Sequence, residues 1–135
     1  MKLRSCHIDN NEGEKMNVEI VSFEQLHTAL KDLAEMLSLA GACEDGIFRS
    51  KLVLSELVGN ALKHGAERKA RVECLVDGDE AKIRVLSEPA FLPPEKSECS
   101  EVFSENGRGL YLVDECAESR FVTKDGWICV TVKIR

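Results

Sequence analysis

The chain has 135 residues, enough for one domain with its own core, and 44% apolar with 31% charged residues is ordinary for a globular protein. A net charge of -6 argues against gripping the phosphates of nucleic acid as a main task, because that needs a basic face. No apolar run suits a signal sequence or the roughly 20 residues that cross a bilayer, so a cytoplasmic protein with no membrane role is expected.

Residues 1–17 are polar and patternless and read as a flexible arm, leaving 18–135 as the folded domain, with Val18 to Val21 as a short edge strand. "FEQLHTALKDLAEMLSL", Phe23 to Leu39, spaces Leu26, Leu30, Leu33, Ala34 and Leu37 for an amphipathic helix with Ser22 as its N-cap. Gly41 and Gly46 punctuate a short turn, and a second helix runs from Ile47 to His64, stopped by Gly65.

"ARVECLV" and "AKIRVLS" alternate side to side around Asp77-Gly78-Asp79-Glu80, the pattern of a hairpin. "SEPAFLPPEKSECSEVFSENG" holds all the prolines and no sustained period, so it reads as a long loop of the kind that binds things. A short helix begins in "GRGLYLVDECAE", and "SRFVTK" and "WICVTVKIR" close the chain around a turn at Asp125-Gly126. In the last strand Ile128, Val130, Val132 and Ile134 share one side, as in a sheet covered on one face. These elements predict an α/β two-layer sandwich (α+β), with helices on one face of a mostly antiparallel mixed sheet.

Cys6, Cys43, Cys74, Cys99, Cys116 and Cys129 contain no C-x-x-C pair, which removes the usual zinc spacing and fits reduced thiols in core or surface positions.

The second helix carries the chemistry. In "KLVLSELVGNALKHG", Glu56, Asn60 and His64 recur every four residues, so at about 100° per residue they form a polar file along one border of the apolar arc. Unpaired buried polar groups cost about 1–3 kcal/mol each, so something polar should face the file. The plainer account pairs Glu56 with Lys63 or Arg49, leaves Asn60 to water and gives His64 the helix end. The sharper one makes Asn60 an amide ligand of Mg²⁺ and Glu56 a base on an attacking hydroxyl or water. Gly59, inside the helix at a cost of about 1 kcal/mol, would mark the close approach of another group. The sharper account needs a phosphate cradle, and "SENGRGLYLVDE" offers one: Gly107 and Gly109 free the backbone, Arg108 adds charge, and a helix follows.

In this order the motifs resemble the histidine-kinase-like (Bergerat-fold) ATPase superfamily, most closely its small anti-sigma-factor serine kinases. "SELVGNALKHG" looks like the family's N box and "GRGLYLV" like its G2 box, and the resemblance spans about Phe23 to Arg135. It implies Glu56 as catalytic base, Asn60 as the Mg²⁺ ligand, Lys63 and His64 as neighbours of ATP, and Gly107, Arg108, Gly109 and Leu110 in the phosphate-covering lid. It also implies an anti-anti-sigma-like protein or a sigma factor as partner, and a homodimer supported by the sheet and by the first helix near Phe23, Leu26 and Leu30.

The match breaks at the adenine-reading box, an aspartate-x-glycine-x-glycine after the second hairpin strand, where this chain has "VLSEPAFLPP". Matching Ala90-Phe91-Leu92-Pro93 to the family's glycine-phenylalanine-x-proline puts Leu86 in place of the aspartate, Glu88 of the first glycine and Ala90 of the second; Ser87 or Glu88 substitutes only through a shifted register. Two functions therefore compete: an ATP-binding anti-sigma-factor-like serine kinase, and a degenerate docking module that binds a regulatory partner without turnover. A third, a phosphate receiver using His64 or an aspartate, explains less of the pattern.

Overall fold

Cross-strand pairing sets the layout of the protein. A computed structural model of the chain describes residues 7–9, 13–63, 69–88 and 105–135. His64, Gly65, Ala90 and most of the expected loop, Cys6 and Cys99 lie outside the described residues. The strands are β1 (His7–Asp9), β2 (Gly13–Ile20), β3 (Lys69–Asp77), β4 (Glu80–Glu88), β5 (Ser119–Val122) and β6 (Ile128–Lys133); the helices are α1 (Phe23–Leu39), α2 (Glu44–Lys63) and α3 (Glu105–Cys116). The sheet runs β1-β2-β3-β4-β6-β5, and each of these pairings is antiparallel, so the described sheet is antiparallel throughout rather than mixed.

The chain enters the sheet earlier than its composition suggests. The arm expected through Asn17 is strand from Gly13 onward, and β1 covers the outer side of β2, so β2 is not an edge. Met16 and Ile20 turn inward, opposite Cys74 and Ala70, while Asn17 and Glu19 turn out. The polar members of that alternation had hidden it. Because β3 supplies the hydrogen-bonding partner, strand forms where local propensity is weak.

Ser22 caps α1 by accepting from the Gln25 amide at 3.1 Å, and the Gln25 side chain accepts from Val21 N at 2.7 Å. The helix ends in a Schellman turn: Gly41, at φ +87°, donates to Ser38 O and Ala42 donates to Leu37 O, both at 3.0 Å. Next, α2 starts three residues before Ile47. Cys43 serves as its cap, accepting from Gly46 N at 3.3 Å through Sγ and from Ile47 N at 3.0 Å through its carbonyl. Cysteine is not among the usual capping residues, so this start carried no sequence signal.

Gly46 is therefore helical, not part of the turn. A Cβ there would stand 2.5 Å from Ile134 Cα, because α2 crosses the backbone just beyond β6 at close range. The core lies between the two layers, with Val53, Leu54, Leu57 and Val58 of α2 set against Val72, Ile83, Val85 and Val130 of the sheet. The opposite face is laced with ion pairs, Arg84–Glu73 at 2.9 Å and Lys82–Asp77 at 3.3 Å among them, and the Arg84 guanidinium lies 4.2 Å from the Trp127 ring centre.

Both turns close on a left-handed glycine, Gly78 at φ +63° and Gly126 at φ +98°. Cys74 is in the core, where burial pushes its thiol up to about 12; burial also raises Cys116 and Cys129, so these three stay protonated near neutral pH.

Candidate functional site

On α2 the polar file survives folding in a specific form. Val53, Leu57 and Ala61 are buried, Glu56 is half-buried and Lys63 is exposed, as expected for a border between core and surface. Asn60 is the exception. It is only 3% exposed, and its amide nitrogen has no hydrogen-bond partner. Arg49, the other proposed partner of Glu56, is engaged elsewhere: its Nη2 donates to Lys133 O at 2.8 Å.

Glu56, Gly59, Asn60 and Lys63 line a cavity of about 270 Å³ whose other wall is α1, through Phe23, Leu26, His27 and Leu30. The family resemblance implied a homodimer supported by the first helix near Phe23, Leu26 and Leu30. In the structure Leu26 is buried and Leu30 half-buried, with only Phe23 broadly exposed, at 52%. His27 was missed: it is exposed on α1, and nothing in its spacing announced that α1 would fold against the α2 file.

Gly59 does not accommodate a neighbouring group, since a Cβ added there meets nothing within 4 Å. Gly59→Ala is expected to stabilise the protein by about 0.5–1 kcal/mol, the ordinary helix-propensity gain, and to raise its melting temperature by a few degrees. A drop in melting temperature would reveal a contact that the geometry does not contain.

The second motif lies within α3 rather than ahead of it. The helix begins at Glu105, so Gly107, Arg108 and Gly109 are already helical. The amides of the first three helical residues, here Glu105 to Gly107, precede the first helical hydrogen bond, so Gly107 is the motif residue that can still offer a backbone donor. Leu110 does not: its amide falls past that first turn and its side chain, 2% exposed, is a packing group. α3 packs against α2 and is pinned to β5 by a bidentate pair, Arg120 Nε to Asp114 Oδ1 at 2.6 Å and Nη2 to Oδ2 at 3.0 Å.

β4 adds the strand's parity to the reading of the adenine box. Ala81, Ile83, Val85 and Ser87 face the helices at 3% exposure or less, so Leu86 stands on the opposite face. At this end of β4 the helix-facing position is Ser87, and Leu86 faces away. Its hydroxyl, like the Asn60 amide, has no hydrogen-bond partner, and β4 packs against α2. Ser50 Oγ is also unpartnered, but ten residues before Asn60 it lies about 15 Å away along the helix. The alternation of "AKIRVLS" already contained this parity; matching on Ala90 to Pro93 overrode it.

An unpartnered amide beside a carboxylate, at the wall of a cavity, fits a hydrated cation and its anionic ligand. An amide's two ends exchange by a turn of about 180°, so the free end can present oxygen to a metal. Among the described residues no three His, Cys, Asp or Glu side chains gather as a metal cluster, so a cation here would rely on Asn60 and on oxygens brought by the ligand.

Comparison with known proteins follows the same lines. Residues 21–133 match the family model described as the histidine kinase-like ATPase domain. No curated protein matches the chain. Among solved structures, the crystal structure of the RsbU and RsbW domains of Rv1364c from Mycobacterium tuberculosis matches with a TM-score of 0.59 at 17% identity, over 90% of this chain and 32% of that one. This chain thus spans about a third of that protein's length, and at such identity the likeness is one of fold. With the family model covering nearly all of the described fold, the chain belongs to the histidine kinase-like ATPase domain family.

Proposed function

We propose that this protein binds Mg·ATP along the Glu56–Asn60–Lys63 file of α2, at the cavity walled by α1, and acts as an anti-sigma-factor-like regulatory kinase on a serine of an anti-anti-sigma-like partner. The observation that carries the reading is the buried, unpartnered amide of Asn60 beside Glu56 in the cavity wall. Asn60 would hold the metal, Lys63 would neighbour the phosphates, and the Gly107 amide at the start of α3, with the charge of Arg108, would receive phosphate oxygens, the family likeness adding Gly109, Leu110 and His64. Mg²⁺ and ATP, when bound, supply the phosphoryl group and offset its developing charge. Glu56 orients the acceptor hydroxyl and takes its proton.

A sigma factor as the competing partner, and a homodimer using the exposed Phe23, belong to the same proposal. No helix among the described residues is long and apolar enough to cross a membrane.

The test combines titration calorimetry with Mg·ATP and γ-phosphate release. Glu56→Gln is expected to keep affinity within about threefold while lowering turnover by roughly 10²–10⁴, the usual contribution of a positioned base. Equal loss of binding and turnover would make Glu56 a binding residue instead. No binding at millimolar ATP would leave the docking module, which the lack of any carboxylate at position 87 on β4 favours.

A further inference from the structure

The α1 wall of the cavity carries one polar side chain that the proposed reaction has not used. His27 lies among the apolar Phe23, Leu26 and Leu30 and lines the same space as Glu56, Asn60 and Lys63 of α2. Leu26 is buried while His27 is exposed, so the imidazole stands at the mouth of the cavity. The space beside α2 is open there, since a Cβ on Gly59, another lining residue, would meet nothing within 4 Å. We infer that His27 donates a hydrogen bond to the terminal phosphate of the bound triphosphate, which makes it a further catalytic residue, supplied by α1. This rests on the nucleotide reading above and adds a contact from the helix that faces the N-box-like file.

The placement follows from what each wall can offer. In the proposed reaction the metal sits at Asn60 and the acceptor hydroxyl at Glu56, so the phosphoryl group passing between them lies in the cavity that both residues line. An ionised carboxylate only accepts hydrogen bonds, and beside a phosphate it repels, so Glu56 needs a donor across from it. Asn60 gives its oxygen to the metal, and Lys63 neighbours the phosphates but already interacts within the folded chain. No hydrogen bond or ion pair engages His27 among the described residues. An imidazole keeps at least one N–H donor whether neutral or charged. A donor fixed on the opposite wall, aimed at oxygens on which charge builds, stabilises phosphoryl transfer. In that transfer the acceptor oxygen bonds to the terminal phosphorus, and the bond from that phosphorus to the bridging oxygen breaks, leaving its electron pair on the diphosphate. Glu56 takes the hydroxyl proton, and His27 keeps its own.

Mg·ATP and Mg·ADP differ only in the group that His27 would touch, and their binding can be measured without the acceptor protein. Calorimetry on His27→Ala is expected to show Mg·ATP weakened about tenfold, the value of one hydrogen bond to a charged group, with Mg·ADP within about twofold of the wild type. The position is exposed and helical, and alanine is the better helix former, so the melting temperature should not fall.

Unchanged affinity for both ligands, or equal losses for both, overturns the role of His27 and leaves the nucleotide site standing. A wild type that binds neither ligand at millimolar concentration overturns the nucleotide reading and this inference together.

Discussion

Asn60→Leu is expected to fold at least as stably as the wild type and to lose Mg·ATP binding by about two orders of magnitude. Leucine nearly reproduces the shape of asparagine, so the substitution leaves little cavity. The wild-type amide is 3% exposed with an unpartnered nitrogen, and such a group costs about 1–3 kcal/mol of desolvation in the empty protein. Removing it while filling the same space should raise the unfolding midpoint.

Binding should move the other way. Losing even an outer partner of a metal site costs roughly 10–100-fold in affinity, and Asn60 is proposed as a direct ligand. Opposite signs in the two measurements are the signature of a residue kept for its ligand. If Asn60→Leu instead destabilised the fold and left affinity alone, the amide would be a structural group and the proposed site would lose its central residue. A denaturation curve and a calorimetric titration on one pair of proteins decide the matter.

How much of this was legible beforehand differs by element. Helix α1 matches its expected bounds from Phe23 to Leu39, because a polar cap, a strong apolar period and a terminal glycine all point to one answer. The β3–β4 hairpin was equally plain, since alternation and an Asp-Gly turn agree. β2 was not, because Lys15, Asn17 and Glu19 look solvated until β3 is placed beside them. The N-box-like file showed in the sequence that Asn60 and Glu56 belong together. That α1 forms the opposing wall is a tertiary fact with no local signature. Ser87 was hidden differently: its parity was readable, but a motif match was allowed to outweigh the strand's own alternation.

Gly46 shows the same limit in the core, and Gly46→Ala is expected to destabilise the protein by roughly 3 kcal/mol, the upper end for overpacking. In sequence the residue reads as a turn glycine. In the structure it lies in the first turn of α2, and a methyl there would stand 2.5 Å from Ile134 Cα and 2.8 Å from Ile134 O. Both atoms are backbone, so no side-chain rotation relieves the clash. Relief requires α2 to lift from the sheet or the end of β6 to shift, and either disturbs contacts already set: Cys43 N donates to Ile134 O at 2.7 Å, and Ile134 N donates to Asp79 O at 2.8 Å. Alanine favours a helix over glycine by about 1 kcal/mol, so propensity alone predicts the opposite sign. Gly59→Ala, with the same propensity gain and open space around its Cβ, is the internal control. A melting temperature that falls by about 10 °C for Gly46→Ala and rises for Gly59→Ala would show that the close crossing of α2 over the end of β6, rather than glycine content, sets stability there. Two rises would mean that the crossing can widen without cost.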